Sequence, residues 1–188
     1  MRRASNDIRF ELNMKTNEFS GLCALVIEDV PSMRQLIVLL LKEIGIKDVI
    51  SSEDGADGLN KVEHAPHPVD IIICDLEMPI ISGIEFIQML RRSSNESVKD
   101  TPVIVVTGYS EERNLYQAVQ AGVHGFLVKP VSRTALEKRV RQALKNPPID
   151  PNVFNSKPAQ RAKQVEVIDG NASVHKSPQS PAQKIIKK

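Results

Sequence analysis

Short runs of apolar residues recur through the middle of this chain, and they constrain the fold more than any other feature. Val and Ile dominate four of the five runs, and several runs show no alternation of apolar and polar residues. Strands of a parallel sheet that is covered on both faces have this pattern, because neither face of the strand meets water. The predicted strands are residues 22–27, 49–51, 69–74, 103–107 and 124–128.

Stretches with helical periodicity separate these runs. The first stretch ends at Gly45, a residue type that often terminates helices, and the last follows Ser132, a residue type that caps their N-termini. This alternation predicts an α/β fold, with five parallel strands in a doubly wound sheet, five helices and right-handed crossovers. Ligands of such sheets bind beyond the carboxyl ends of the strands. The helical stripes lie within residues 33–44, 56–62, 84–90, 115–121 and 135–144.

The alternating pattern occupies residues 21–145, which we expect to form one domain. Residues 1–20 are polar apart from isolated apolar side chains, and they form a predicted N-terminal extension. Residues 146–188 hold six of the twelve prolines and carry seven basic but only three acidic side chains. With no sustained apolar periodicity, this composition predicts a disordered, Pro- and Lys-rich tail.

Three classes of protein are excluded by simple features of the sequence. No apolar run approaches the roughly 18–20 residues of a membrane span, and nothing in the sequence has the repeat of a collagen. The N-terminal residues include no apolar stretch, so we expect no secretory signal. Cys23 and Cys74 each lie within an apolar run, which predicts reduced core thiols rather than a disulfide framework. Together these features predict a cytoplasmic protein.

Polar side chains stand at the predicted carboxyl ends of four strands. Glu28 and Asp29 follow the first strand, Asp75 the third and Lys129 the fifth, while Thr107 ends the fourth. Two carboxylates about 4 Å apart repel by about 4 kcal/mol at an effective dielectric near 20, so three of them require a cation. Mg²⁺, or else Mn²⁺, suits such oxygen ligands. A carboxylate beside that ion and a lysine is a phosphoryl acceptor, and Thr107 could donate a hydrogen bond to a phosphoryl oxygen.

Each of these residues also has a simpler explanation when it is taken alone. Acidic pairs after strands often cap the next helix, and Lys-Pro pairs usually form turns. Two nearby features favour such simple explanations: we expect Arg91 and Arg92 to form a solvated helix end, and His124 only to pack. What favours a functional site is the arrangement of all the polar residues at the same end of successive strands.

The motifs Glu28-Asp29, Asp75 with Met78-Pro79 and Gly83, Thr107, Phe126, and Lys129-Pro130 follow one another in a familiar order and spacing. Residues 21–145 thereby resemble the receiver domain of bacterial two-component response regulators, especially stand-alone receivers of the chemotaxis type. The resemblance implies the flavodoxin-like receiver fold and a single-domain response regulator of a phosphorelay. It also implies that the chain is not an enzyme, apart from catalysing its own phosphorylation and dephosphorylation.

The resemblance further implies roles for the residues of the site. Asp75 would be the phosphoacceptor and Lys129 would bind the phosphoryl group. Asp29 would ligate Mg²⁺ directly and Glu28 mainly through water. Asp75 and the backbone carbonyl of Glu77 would be further metal ligands. The donor would be a sensor histidine kinase or a histidine phosphotransfer protein.

Thr107 and Phe126 would form a switch pair, and the peptide bond before Pro130 would be cis. Drawing the Thr107 hydroxyl towards a phosphoryl oxygen would leave space into which the Phe126 ring turns inward. The surface built by the fourth helix, the fifth strand and the fifth helix would then bind a downstream protein or a second copy of this chain. The residues expected to transmit this change are Leu115, Tyr116, Val119 and Arg139.

Two positions depart from the common pattern of the family. Glu77 stands where many receivers have Asn, and Tyr109 lies two residues after Thr107. Because both positions would flank the path of a hydrolytic water, they are expected to tune the lifetime of the phosphorylated state. Glu28, where Asp is commoner, is a substitution that the family tolerates.

Alternative functions remain open at this point. A phosphate sink or relay intermediate would use the same acceptor site. A nucleic-acid-binding regulator would use the basic side chains of the tail, namely Lys184, Lys187 and Lys188, but no aromatic residues accompany them. An aspartyl phosphatase of the haloacid-dehalogenase type is disfavoured, because Glu77 and Pro79 occupy the places of its second Asp and its Thr or Val.

Overall fold

The structure is a computed structural model that describes residues 18–108, 112–155 and 167–169. Its strands are β1 Cys23–Ile27, β2 Asp48–Ser52, β3 Ile71–Asp75, β4 Val103–Thr107, β5 Gly125–Val128 and β6 Val167–Asp169. They form one parallel sheet in the order β2-β1-β3-β4-β5-β6. The first five strands confirm the predicted doubly wound sheet. The chain reverses its direction of winding between β1 and β3, which is where such folds place their ligand site.

Five helices connect the strands, as predicted. They are α1 Pro31–Glu43, α2 Gly55–Glu63, α3 Gly83–Leu90, α4 Glu112–Ala121 and α5 Arg133–Ala143. Two short helices, Glu96–Lys99 and the 3₁₀ helix Pro151–Asn155, were not expected. None of the described helices is long and apolar enough to cross a membrane. Ser132 caps α5 as expected, and Gly45 follows α1 with a φ of 111°, in the region that favours glycine.

The helices cover both faces of the sheet. Leu41 of α1 and Leu136 of α5 belong to one apolar cluster, whereas Phe86 of α3 and Val119 of α4 belong to a second. Every position of β1, β3 and β4 is buried between these two layers. Polar side chains can therefore reach solvent only from the ends of these strands, and this confines the functional residues to the rim of the sheet.

The predicted disordered tail is wrong for part of residues 146–188. The 3₁₀ helix places Val153 in the core at 2% exposure, and Ile149 and Phe154 pack against the same cluster. Further along, β6 adds a sixth strand that pairs in parallel with β5. One apolar residue and one apolar pair among prolines show no periodicity, so the sequence did not reveal that these side chains pack into the core of the domain. Residues 156–166 and 170–188 lie outside the described residues.

The N-terminal boundary also lies earlier than predicted. Phe19, assigned above to an extension, is 1% exposed and belongs to the cluster formed by α1 and α5. The guanidinium of Arg141 stacks over its ring at 5.2 Å and also pairs with Glu18. An isolated apolar residue in a polar segment gives no periodic signal, which is why the pattern placed the boundary after Phe19. Residues 1–17 lie outside the described residues.

Arg91 is not the solvated helix end that the sequence suggested. Its guanidinium donates to the carbonyl oxygens of Lys99 at 2.5 Å, Thr101 at 2.9 Å and Gly122 at 2.8 Å. These carbonyls lie at the end of the short helix Glu96–Lys99, just before β4, and just after α4. Arg91 therefore holds together the end of α3, the segment before β4 and the end of α4.

Candidate functional site

Three carboxylates meet at the carboxyl ends of β1 and β3. Each of Glu28, Asp29 and Asp75 has an oxygen within 4.8 Å of the others. The register explains the meeting, since Ile27 of β1 pairs with Cys74 of β3 and the next residue of each strand is acidic. Glu28 is fully buried and Asp75 is 5% exposed, so the two carboxylates have little water to solvate them. The sequence prediction that these residues lie together is met.

Lys129 supplies the positive charge that faces this cluster. Its Nζ lies 2.9 Å from Asp75 Oδ2, 3.0 Å from Glu28 Oε1 and 2.8 Å from Glu28 Oε2. Burial lowers the pKa of Lys129, but the hydrogen bonds to the two carboxylates outweigh it and leave the pKa raised. The side chain is therefore a stable ammonium group at neutral pH.

One ammonium group does not neutralise three carboxylates. Burial raises the pKa of Glu28, and its hydrogen bond with Lys129 offsets only part of this effect. Glu28 Oε2 is buried without a well-directed hydrogen bond, although Nζ of Lys129 lies close to it. The donors are all carboxylate oxygens, which hard divalent cations such as Mg²⁺ prefer. The residues present thus fit the magnesium site that the sequence predicts.

The carboxylate of Asp75 is oriented by a neighbouring backbone amide as well as by Lys129. The amide of Leu76 donates to Asp75 Oδ1 at 2.8 Å. Behind it, Gly83 at the start of α3 packs so closely that a Cβ there would overlap the carbonyl oxygen of Asp75. This contact is the physical reason for a glycine in the predicted motif, because only a residue without a side chain allows α3 to approach β3.

Arg34 is a residue of the site that sequence reasoning missed. From the first turn of α1, its Nη1 donates to the backbone carbonyl of Glu28 at 2.5 Å and to that of Asp29 at 3.3 Å. It therefore holds the loop that presents both acidic side chains. Its place six residues after Glu28 was visible in the sequence, but an arginine early in a helix normally points to solvent.

The predicted switch residues lie on the neighbouring strands. Thr107 ends β4 at 1% exposure, and its carbonyl accepts from the amide of Lys129 at 2.9 Å. Phe126 on β5 is fully buried in the cluster that also holds Val119 of α4. The ring is thus already buried in this structure, whereas the predicted switch places its inward turn after phosphorylation, so that turn stays a prediction. The Lys129–Pro130 bond is cis, as predicted.

Not every residue assigned to the site or to its output surface lies where the sequence placed it. Glu77 has an exposed side chain between the buried Leu76 and Met78, and Tyr109 lies outside the described residues, so the roles given to both stay predictions. Val119 is fully buried and Arg139 is 6% exposed, so neither belongs to an accessible surface as predicted. Both were chosen from helical positions that turn out to face the core. Tyr116, at 45% exposure, is accessible.

The fold and the site together define a doubly wound α/β domain with a carboxylate cluster and a lysine at the carboxyl edge of its sheet, and comparison with known proteins identifies its family. The family model described as "Response regulator receiver domain" matches residues 24–141. The chain therefore belongs to the response regulator receiver family. This membership confirms the resemblance drawn from the motifs of the sequence.

Individual relatives agree with this assignment. The chain is 29% identical to the chemotaxis protein CheY of Pseudomonas aeruginosa over 118 residues, which are 63% of this chain and 92% of that protein. It is 28% identical to CheY-3 of Vibrio cholerae over 116 residues, 62% of this chain and 86% of that protein. The crystallised CheY4 of Vibrio cholerae is similar in structure, with a TM-score of 0.60 at 30% identity over 65% of this chain and 98% of that one.

Proposed function

We propose that this chain is a single-domain response regulator that accepts a phosphoryl group on Asp75 and passes the signal on through a protein–protein contact. The observation that carries the proposal is the position of Lys129, whose ammonium bridges the buried carboxylates of Glu28 and Asp75. A phosphoacceptor carboxylate needs a fixed cation beside it, because negative charge accumulates on the transferring oxygens. Membership of the receiver family supports the same role.

In the proposed transfer, an oxygen of the Asp75 carboxylate attacks the phosphorus of a phosphohistidine on a histidine kinase or phosphotransfer protein. The new O–P bond forms as the P–N bond breaks, and the electron pair of that bond leaves with the imidazole nitrogen. Leu76 and Lys129 already hold the two oxygens of Asp75 in place, so little ordering is needed when the donor arrives. Lys129 then stabilises the charge on the phosphoryl oxygens.

Glu28, Asp29 and Asp75 would hold Mg²⁺, with Glu77 contributing its backbone carbonyl. When bound, the ion supplies positive charge that offsets the repulsion between the carboxylates and the incoming phosphoryl group. Mn²⁺ would suit the same oxygen donors.

The signal would leave the site through Thr107 and Phe126. A hydrogen bond from the Thr107 hydroxyl to a phosphoryl oxygen is worth about 1.5–3 kcal/mol net, which is enough to shift a two-state population roughly tenfold or more. It would hold the Phe126 ring inward and fix its packing against α4. The surface of α4, β5 and α5 would then change its affinity for a downstream protein or for a second copy of this chain.

We propose no reaction on an external substrate. Asp75 would be phosphorylated and dephosphorylated, with the exposed Glu77 and with Tyr109 tuning how fast water reaches the phosphoryl group. A phosphate sink or relay intermediate would share every part of this chemistry and would differ only in the absence of a downstream target.

The proposal is tested by incubating the full chain with acetyl phosphate and Mg²⁺ and measuring the intact mass. Wild type should gain one phosphoryl group, and Asp75→Asn should gain none. Asp100→Asn is the matched control, because Asp100 is an exposed aspartate at the end of a short helix and should leave the gain unchanged. EDTA should abolish the reaction.

A mass gain that persists in Asp75→Asn, or that EDTA leaves untouched, contradicts the proposed acceptor. The output step is tested separately with Thr107→Ala, which should still be phosphorylated but should lose any phosphorylation-dependent association. Phosphotransfer profiling against candidate histidine kinases, with Asp75→Asn as control, would identify the donor.

A further inference from the structure

The surface through which the signal should leave is partly covered by the chain's own C-terminal residues. The amide of Ile149 donates to the carbonyl of Val123 at 2.9 Å. The ring of Phe154 meets the ring of Tyr116 on α4 edge to face, with centroids 5.1 Å apart and an interplanar angle of 85°. Val153 lies between these two contacts in sequence and is buried. The 3₁₀ helix Pro151–Asn155 thus packs against α4, where an external partner would have to bind.

The edge of the sheet is covered as well. Without β6, the outermost strand would be β5, and its unpaired backbone groups would be open to another strand. β6 pairs with it in parallel, with Phe126 opposite Val167, Leu127 opposite Ile168 and Val128 opposite Asp169. We call residues 149–155 together with Val167–Asp169 the C-terminal cover.

The covered strand is the one that carries the output residues of the site. Phe126, the proposed switch residue, is itself a register partner of the cover. Lys129, whose ammonium binds Glu28 and Asp75, is the residue directly after Val128, the last position that β6 pairs. Phe126 also shares its apolar cluster with Val153. A change at Lys129 or Phe126 therefore reaches the cover through the backbone of one short strand.

We propose that the C-terminal cover occupies the output surface in the unphosphorylated protein and is loosened by phosphorylation of Asp75, which exposes the edge of β5 and α4 to a partner protein. The inference rests on the proposed function, because it assigns to phosphorylation the task of releasing the cover. On this proposal the C-terminal cover and the partner protein compete for the same surface. A partner that adds a strand to the exposed edge of β5 is the kind that fits this surface.

Two features give the direction of the effect. A phosphoryl group on Asp75 draws the ammonium of Lys129 away from its present carboxylate partners, and the end of β5 moves with it. The pairing of β6 with β5 is the contact that this movement breaks most easily, because β6 is an edge strand of only three residues. Short edge elements open more readily than the buried strands of a sheet.

The first test measures amide hydrogen exchange on the full chain, with and without acetyl phosphate and Mg²⁺, and records the intact mass of each sample. Phosphorylation should accelerate exchange at least fivefold for the amides of Ile149 and of Val167–Asp169. Asp75→Asn should show no acceleration. If the mass shows no phosphoryl group, the proposed function fails. If the phosphoryl group is present and these amides exchange equally fast or more slowly, the cover is not released and the inference fails.

The second test opens the cover by mutation and needs no phosphodonor. Phe154→Ala removes the ring contact with Tyr116, whereas Asn155→Ala changes an exposed neighbour in the same 3₁₀ helix. Coupling between two events is reciprocal, so loosening the cover should strengthen binding of beryllium fluoride with Mg²⁺, an analogue of the phosphoryl group. We expect the Kd to fall about fivefold in Phe154→Ala and to stay unchanged in Asn155→Ala.

An unchanged or higher Kd in Phe154→Ala would overturn the coupling. The double replacement of Val167 and Ile168 by proline gives a second variant that disturbs the edge strand instead, because adjacent amides of a strand point to opposite sides and one of the two must face β5. It should lower the same Kd. Sedimentation of the wild type decides whether the cover is intramolecular: a dimer that dissociates in the double proline variant would show that β6 comes from a second copy, and would overturn the proposal.

Discussion

Gly83 shows how little space surrounds the backbone of Asp75. A methyl group at this position would overlap the carbonyl oxygen of Asp75, which belongs to a rigid buried strand and cannot yield. Gly83→Ala should therefore lower the free energy of unfolding by at least about 2 kcal/mol, in the range of overpacked cores. Chemical denaturation measures this. Gly21→Ala is the matched control, because no atom lies within 4 Å of an added Cβ there, and it should be nearly neutral.

Ile80 is strained in the loop that follows the site. Its φ is 68°, a left-handed conformation that β-branched residues avoid, and its side chain is 83% exposed. Asn tolerates this conformation better, so Ile80→Asn should raise the free energy of unfolding by about 1 kcal/mol. Thermal denaturation should show a higher Tm. Ile80→Val keeps the β-branched strain and should not show it; a similar gain in both variants would contradict the explanation.

His124 is the residue whose titration should affect stability most clearly. It is 9% exposed, and its Nδ1 accepts a hydrogen bond from the amide of Val103 at 3.3 Å, which requires a neutral ring. Burial and the nearby charge of Arg91 lower its pKa to about 4, from 6.5 in the unfolded chain. Between these values the unfolded state binds the extra proton. Stability should therefore fall as the pH drops from 6.5 to 4, by up to about 3 kcal/mol.

The measurement compares wild type with His124→Asn by denaturation across this range. Asn retains an acceptor for the Val103 amide but does not titrate, so the difference in stability between the two proteins should shrink or reverse as the pH falls. A difference that stays constant with pH would show that His124 does not titrate in the folded state below its ordinary pKa.

At the scale of elements, Arg91 holds together the end of α3, the segment before β4 and the end of α4. It donates to three backbone carbonyls, of Lys99, Thr101 and Gly122. Because Arg91→Ala leaves these acceptors without their charged donor, it should lower the free energy of unfolding by at least about 2 kcal/mol. Arg92→Ala, at the exposed neighbouring position, should cost little. Equal effects of the two substitutions in urea denaturation would refute the role given to Arg91.

At the scale of the whole molecule, the acidic cluster links ion binding to folding. The three carboxylates lie at the carboxyl ends of two strands that meet only in the folded chain, so an ion they hold binds the folded state alone. Mg²⁺ should raise the free energy of unfolding by about 2.7 kcal/mol at a concentration of 100 times its Kd. Asp29→Asn should remove most of this increase in a thermal titration, and Asp100→Asn should retain it. An equal increase in all three proteins would indicate binding elsewhere.

The sequence predicted the sheet and the rim of the site because both follow from local pattern. Unbroken apolar runs identify strands buried on both faces, and parallel strands bring their carboxyl ends to one edge. Glu28, Asp75 and Lys129 could therefore be grouped without coordinates. The structure places the three side chains together.

Only the tertiary structure decided the positions of the terminal segments that are described, the roles of two arginines and the pairing of β6. These features depend on contacts between residues that are distant in sequence and carry no periodic signal. Phe19 is a single apolar residue and Val153 belongs to the short apolar pair Val153-Phe154, both within polar segments, and their burial follows from gaps in the packing of other elements. Arg34 and Arg91 donate to backbone carbonyls that lie near them only in the folded chain. The pairing of β6 with β5 depends on an edge that exists only once the sheet has formed. Apolar periodicity therefore determined the layers of this protein, and the surface left over by their packing determined where Phe19, Val153 and β6 lie.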